Sequence, residues 1–97
     1  MIAALVEVEL HIPAAGSLKA KRAVVKSLAA ALRNDLSVSV AEIDHQDLWQ
    51  RCTLGVAIAA GSEQGARTVA QNVEKLVYRE PRAEMIRYDV EIVQTEI

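Results

Sequence analysis

From Ile2 to Leu10 every second residue is apolar. Ile2, Ala4, Val6, Val8 and Leu10 share one parity, and Glu7, Glu9 and His11 share the other. The same pattern returns at Cys52, Leu54, Val56, Ile58 and Ala60, with Arg51, Thr53, Gly55, Ala57 and Ala59 opposite. Side chains alternate faces along a strand, so each stretch predicts a long strand with one buried face. Two such strands need a second layer to cover their apolar side.

The intervening segments supply that layer. Pro13 and Gly16 break the first strand into a loop, and Ser17 is placed to cap a helix. Leu18, Val25, Leu28, Ala29, Leu32 and Leu36 then follow at helical spacing. SVSVAEIDH, residues 37–45, is rich in β-formers but changes phase: Val38 and Val40 share one parity, Ala41, Ile43 and His45 the other. A β-bulge near Val40 is the expected cause. Gly61 ends the next strand and Ser62 can cap a second helix, whose stripe is Ala66, Val69, Ala70, Val73, Leu76 and Val77. Pro81 closes that region, and a last strand over about 84–95 is expected to place Ile86, Tyr88, Val90 and Ile92 on the core. The order β-α-β-β-α-β predicts an α+β ferredoxin-like sandwich, with two helices on one face of a four-stranded antiparallel sheet. With no repeat or linker, residues 1–97 read as a single domain.

At 97 residues the chain is near the small end of those that build their own core. It is 52% hydrophobic but 3% aromatic, without Phe, so Val, Ile, Leu and Ala must form that core. No apolar run approaches the roughly 18 residues that cross a bilayer, and no membrane partner is expected. The start, MIAALVEVEL, lacks a basic head and carries Glu7 and Glu9, so it does not read as a secretory signal. The lone cysteine, Cys52, has no partner for an internal disulfide, which fits a cytoplasmic location.

Charge is segregated. Residues 10–34 hold five bases and no acid, whereas the rest holds six bases and thirteen acids, for a net −2. Lys19, Lys21 and Arg22 crowd the predicted start of the first helix, against the preference of helix N-termini for negative side chains. Lys19 and Arg22 are three apart, and Lys26 follows one turn later. Ser17, Lys19, Lys21, Arg22 and Lys26 therefore form a candidate anion- or RNA-binding site, with Arg33 peripheral, and a solvated polar face is the competing reading. Stacking of bases on the open sheet, as in RNA-recognition modules, is not expected, because the outward faces of the first and third strands show no aromatic. RNA contact falls to the loop and first helix.

AEIDHQDLWQR, residues 41–51, is the second unusual stretch. Asp44, His45, Asp47 and Trp49 form a polar hairpin that holds a turn, with Trp49 covering a sheet edge or a partner. The residue types suit a metal, but no HxxxH or CxxC spacing supports one, and no metal or cofactor is expected. Asp44 and His45, as strand neighbours, point to opposite faces and make no general-base pair. Cys52 lies in the apolar phase and reads as core, not nucleophile. His11, at the end of the first strand, either neighbours the loop anion site or is a solvated strand end.

HIPAAGSLKAKR together with SVSVAEIDHQDLWQR resembles the YlxP-like proteins, a bacterial domain of unknown function. Their pattern, roughly SLKxKR followed by SVAExDxQDLWQR, is matched at Ser17–Leu18–Lys19, Lys21–Arg22 and Ser39 to Arg51. The resemblance covers nearly the whole chain and implies a ferredoxin-like fold. The genes of this family often lie among those for transcription elongation, translation initiation and ribosome maturation, which implies an accessory role around RNA or the ribosome. It brings no catalytic residues.

Three functions are expected in descending order. The first is a non-enzymatic protein that binds RNA or a ribosomal subunit through the basic helix start. The second is a homodimeric interaction module, paired through apolar parts of the open sheet face (Ala3, Leu5, Ala57, Ala59, Val93), or a binder of a small anionic ligand. The third is a phosphate-handling enzyme similar to acylphosphatases. Against it, the loop from Ile12 to Ser17 has no Arg and the strand from Gln50 to Ala60 has no Asn.

Overall fold

The computed structural model describes residues 1–96. The elements run β1 (Ile2–His11), α1 (Leu18–Leu36), β2 (Ser39–Asp44), β3 (Arg51–Ala60), α2 (Glu63–Tyr78) and β4 (Glu84–Gln94). The sheet order is β2-β3-β1-β4, with every pairing antiparallel. Both helices cover one face, so the fold is the ferredoxin-like sandwich that the element order predicts.

β1 and β3 pair without interruption from Ile2↔Ala60 to His11↔Arg51, and their apolar parities meet on the helix side. Ala4, Val6, Val8, Leu10, Cys52, Leu54, Val56 and Ile58 are buried there against Val24, Leu28, Ala29 and Leu32 of α1 and Ala66, Ala70, Val73 and Val77 of α2. Small aliphatic side chains thus build the core, each contributing about 1.5–3 kcal/mol when it is a fully buried Val, Leu or Ile. Ser62 caps α2 by accepting the Gly65 N–H at 3.0 Å, and Glu63 lies in its first turn, as the helix dipole favours. α1 has no acid in its first turn.

Two strand irregularities differ from expectation. The phase change in β2 falls at Ile43, between Glu42↔Leu54 and Asp44↔Thr53, and not near Val40. Val38, Val40 and Glu42 therefore share the helix side, while Ile43 lies over Gly55 on the open face; a Cβ at Gly55 would meet Ile43 Cγ2 at 2.9 Å. In β4 the register shifts between Glu9↔Arg87 and Leu10↔Met85, leaving Ile86 as the extra residue. Ile86 is consequently exposed, and Met85, Tyr88 and Ile92 are the residues packed on the core. Val90 is also exposed, because β4 is an edge strand. Tyr88 donates its hydroxyl to the Ala70 carbonyl and so ties that edge to α2.

Candidate functional site

The basic helix start divides into two sets of residues with opposite fates. Successive residues turn by about 100° around a helix. Lys19, Arg22 and Lys26 therefore share a narrow exposed stripe, and all three are solvent-exposed. Among the described residues none of them has an ion-pair partner. Ser17 caps the helix, its Oγ accepting the Ala20 N–H at 3.1 Å.

Lys21 lies on the other side and corrects the expectation that it contacts a ligand. It is 0% exposed. Its ammonium donates to the His45 carbonyl at 2.6 Å and the Gln46 carbonyl at 3.2 Å, and lies 2.8 Å from Glu42 Oε2. A buried ammonium needs such a set of oxygens to offset its lost hydration. The signal was present in the sequence: Lys21 precedes Val24, Val25, Leu28 and Leu32 by three, four, seven and eleven residues, which places it in the apolar stripe. Arg33 is likewise structural, donating from its guanidinium to the Val40 carbonyl at 2.7 Å and tying the end of α1 to β2.

The 41–51 hairpin is clamped at both ends. Asp44 Oδ1 accepts the His45 N–H at 2.8 Å, and the His45 ring sits 2.9 Å from the Thr53 hydroxyl. Asp44 and His45 thus hold a turn and do not pair through their side chains. His45 has φ 64°, in the left-handed region, where non-glycine residues are uncommon and occur mainly in turns. The reversal carries the His45 and Gln46 carbonyls to Lys21. At the far end, Gln50 Nε2 donates to the Pro13 and Ala15 carbonyls at 3.2 and 3.4 Å, and Ile12 N–H donates to the Gln50 carbonyl at 2.9 Å. The β1–α1 loop, the first turns of α1 and the hairpin form one end of the molecule. Asp47, Leu48 and Trp49 stand exposed between the clamps. Asp44, His45 and Asp47 do not assemble as metal ligands: among the described residues no group of three or more His, Cys, Asp or Glu side chains could hold one.

Cys52 is fully buried beside Glu42 and Lys21. Burial, and after it the Glu42 carboxylate, pushes its thiol up to about 12. Such a group is neutral at physiological pH and a poor nucleophile. In the unfolded chain it ionises near its ordinary value of 9.0, so the folded state holds more protons above that pH and stability falls as pH rises from about 9 to about 12. Below pH 9 the group leaves stability unchanged. The expected result is that a thiol reagent at pH 8 labels Cys52 only at the rate of global unfolding. Rapid stoichiometric labelling of the native protein would show an accessible thiolate.

Glu7, Glu9 and Asp89 on the open sheet face are paired. Glu9 meets both Arg51 and Arg87, and Arg87 also meets Glu7 and Asp89. His11 Nδ1 lies 3.2 Å from Glu84, its partner across the β1–β4 strand ends. The other half of the face is largely apolar, with Ala59, Ala3 and Val93 in one row and Ala57 and Leu5 in the next, which is flanked by Ser39 and Glu91.

Fold and site define a ferredoxin-like sandwich with an exposed cationic stripe and a clamped hairpin at one end. The family described as Protein of unknown function (DUF503) matches residues 3–90, and the chain belongs to it. The chain is 38% identical over 78 residues to the uncharacterised protein YlxP of Bacillus subtilis (strain 168), covering 80% of this chain and 85% of that one. In backbone it is similar to a de novo designed protein with ferredoxin fold, solved by solution NMR, with TM-score 0.60 at 17% identity. That match covers 100% of this chain and 88% of the other and concerns the fold alone. Among the described residues no helix is long and apolar enough to cross a membrane.

Proposed function

We propose that this protein is a non-enzymatic, cytoplasmic accessory protein that binds RNA, free or within a ribosomal subunit, by gripping phosphates with Lys19, Arg22 and Lys26. The observation that carries this reading is that the three cations are exposed, lie on one stripe and have no ion-pair partner among the described residues, in a protein of net charge −2. Lys26 lies seven positions beyond Lys19, about 10 Å along the helix axis. That span suits two or three successive phosphates and exceeds one phosphate group, which favours a polynucleotide over a small anionic ligand. The Ser17 hydroxyl and the first backbone N–H groups of α1 add donors at the same end.

The test is co-sedimentation with bulk RNA and with ribosomal subunits across a salt series. Three phosphate contacts to a single strand give a log–log salt slope of about −2. Wild-type protein that stays in the supernatant at low salt overturns the reading.

A second reading rests on the apolar half of the open face, where Leu5, Ile43, Ala57 and Val93 leave a shallow groove or an exposed apolar surface. Such a surface suits a second copy of the chain. It uses the face opposite the helices, so a dimer and an RNA complex are compatible. Sedimentation at high micromolar concentration decides it: a monomer there rejects self-association through this face.

A further inference from the structure

Trp49 is the protein's single tryptophan, and it is 54% exposed. Leu48 beside it is 45% exposed. Leaving so much apolar surface in water is costly, and a loose loop would fold it away. This loop is not loose. Lys21 holds the His45 and Gln46 carbonyls on one side, and Gln50 is pinned to the β1–α1 loop on the other. The indole is thus presented, with little ordering entropy left to lose on binding.

Trp49 borders an open groove of about 560 Å³, whose other walls are His11, Asp47, Leu48, Gln50 and Arg51. The groove offers an aromatic face, an aliphatic wall, a planar guanidinium, an imidazole and the Gln50 amide. Arg51 is paired with Glu9, and the groove also holds Asp47, so it is not a site for a bare phosphate. Its chemistry suits a flat, polar, aromatic body with hydrogen-bonding edges. The hairpin that carries the groove is bonded to the first turns of α1 through Lys21, on a different side of that helix from Lys19, Arg22 and Lys26.

We propose that the Trp49 groove stacks an unpaired base of single-stranded RNA. The proposal rests on the RNA-binding reading above and adds to it that the strand must be unpaired. A duplex keeps its bases stacked on each other and offers none to an isolated indole. Base stacking on an aromatic tolerates any base, so little sequence preference is expected.

The single tryptophan makes the test direct, because its emission reports on this groove alone. Three probes of equal length are titrated at low salt: a single-stranded oligoribonucleotide, the same ribose-phosphate chain without bases, and a duplex. The single strand is expected to quench Trp49 emission, while the abasic chain binds through its phosphates without quenching. Trp49→Ala weakens the single strand about tenfold and leaves the abasic chain unchanged. Trp49→Phe, which keeps a ring, recovers most of the loss. If Trp49→Ala binds all three probes as the wild type does, the stacking site is overturned while the phosphate stripe stands, and Leu48 and Trp49 are left as a protein-contact surface. If the wild type binds none of them, both readings fall together.

Discussion

Lys21→Met will destabilise this domain by about 3–5 kcal/mol, the cost of removing one partner from a buried ion pair. The substitution retains most of the methylene stem, so the loss is of charge and donors and only slightly of volume. It leaves the Glu42 carboxylate, 19% exposed, without the ammonium at 2.8 Å, the Gln46 carbonyl without the lysine donor, and the His45 carbonyl with the Leu48 N–H alone. A domain of this size has a total stability of roughly 5–15 kcal/mol, so the variant will be marginal or unfolded at 37 °C. Urea unfolding measures the effect. Adding Glu42→Leu will return a large part of the loss, because a pair replaced on both sides by apolar groups leaves no charge stranded. Each substitution alone is therefore worse than the two together would predict, by at least about 1 kcal/mol in a double-mutant cycle. A Lys21→Met protein as stable as wild type would show that the ammonium contributes nothing to holding hairpin and helix together.

Lys19→Glu/Arg22→Glu will lower RNA affinity at least a hundredfold and will leave the fold intact. Two charge-assisted contacts at roughly 1.5 kcal/mol or more each account for that factor before repulsion is counted. The salt slope will flatten, since it reports how many phosphates the protein neutralises. Stability will move the other way. Both residues are exposed and unpaired, and α1 has no acid in its first turn. A glutamate at position 19 supplies the charge that a helix N-terminus prefers and should gain about 0.3–1 kcal/mol. A variant that binds worse and melts higher is the signature of cations kept at a helix start for binding. Unchanged RNA binding would return Lys19 and Arg22 to a merely solvated face.

Much of the fold was legible because alternation and helical spacing are local patterns. β1 and β3 alternate without a break, so their faces and pairing follow directly. Ser17 and Ser62 were readable as caps, because a hydroxyl before an apolar helical stripe has one local use. β4 was legible in extent but not in phase. Its bulge at Ile86 exists only in the pairing with β1, which shifts between Glu9 and Leu10. The same holds for β2, whose register shift at Ile43 exists only in its pairing with β3, where Ile43 lies over Gly55.

The candidate site divides in the same way. The sequence by itself determined that positive charge gathers at the start of α1, since charge segregation is a matter of composition and order. It also held the register that separates Lys21 from Lys19 and Arg22, readable once Lys21 is aligned with the apolar stripe. Only the tertiary structure decided what Lys21 does. A lysine in an apolar stripe either snorkels to water or finds oxygens inside, and the choice depends on two carbonyls and a carboxylate from a hairpin more than twenty residues away. Tertiary structure likewise decided that Trp49 stays in solvent. Its exposure follows from clamps at Lys21 and Gln50 that join the hairpin to the loop and first turns of α1, 24 to 37 residues earlier, and no local pattern encodes contacts of that range.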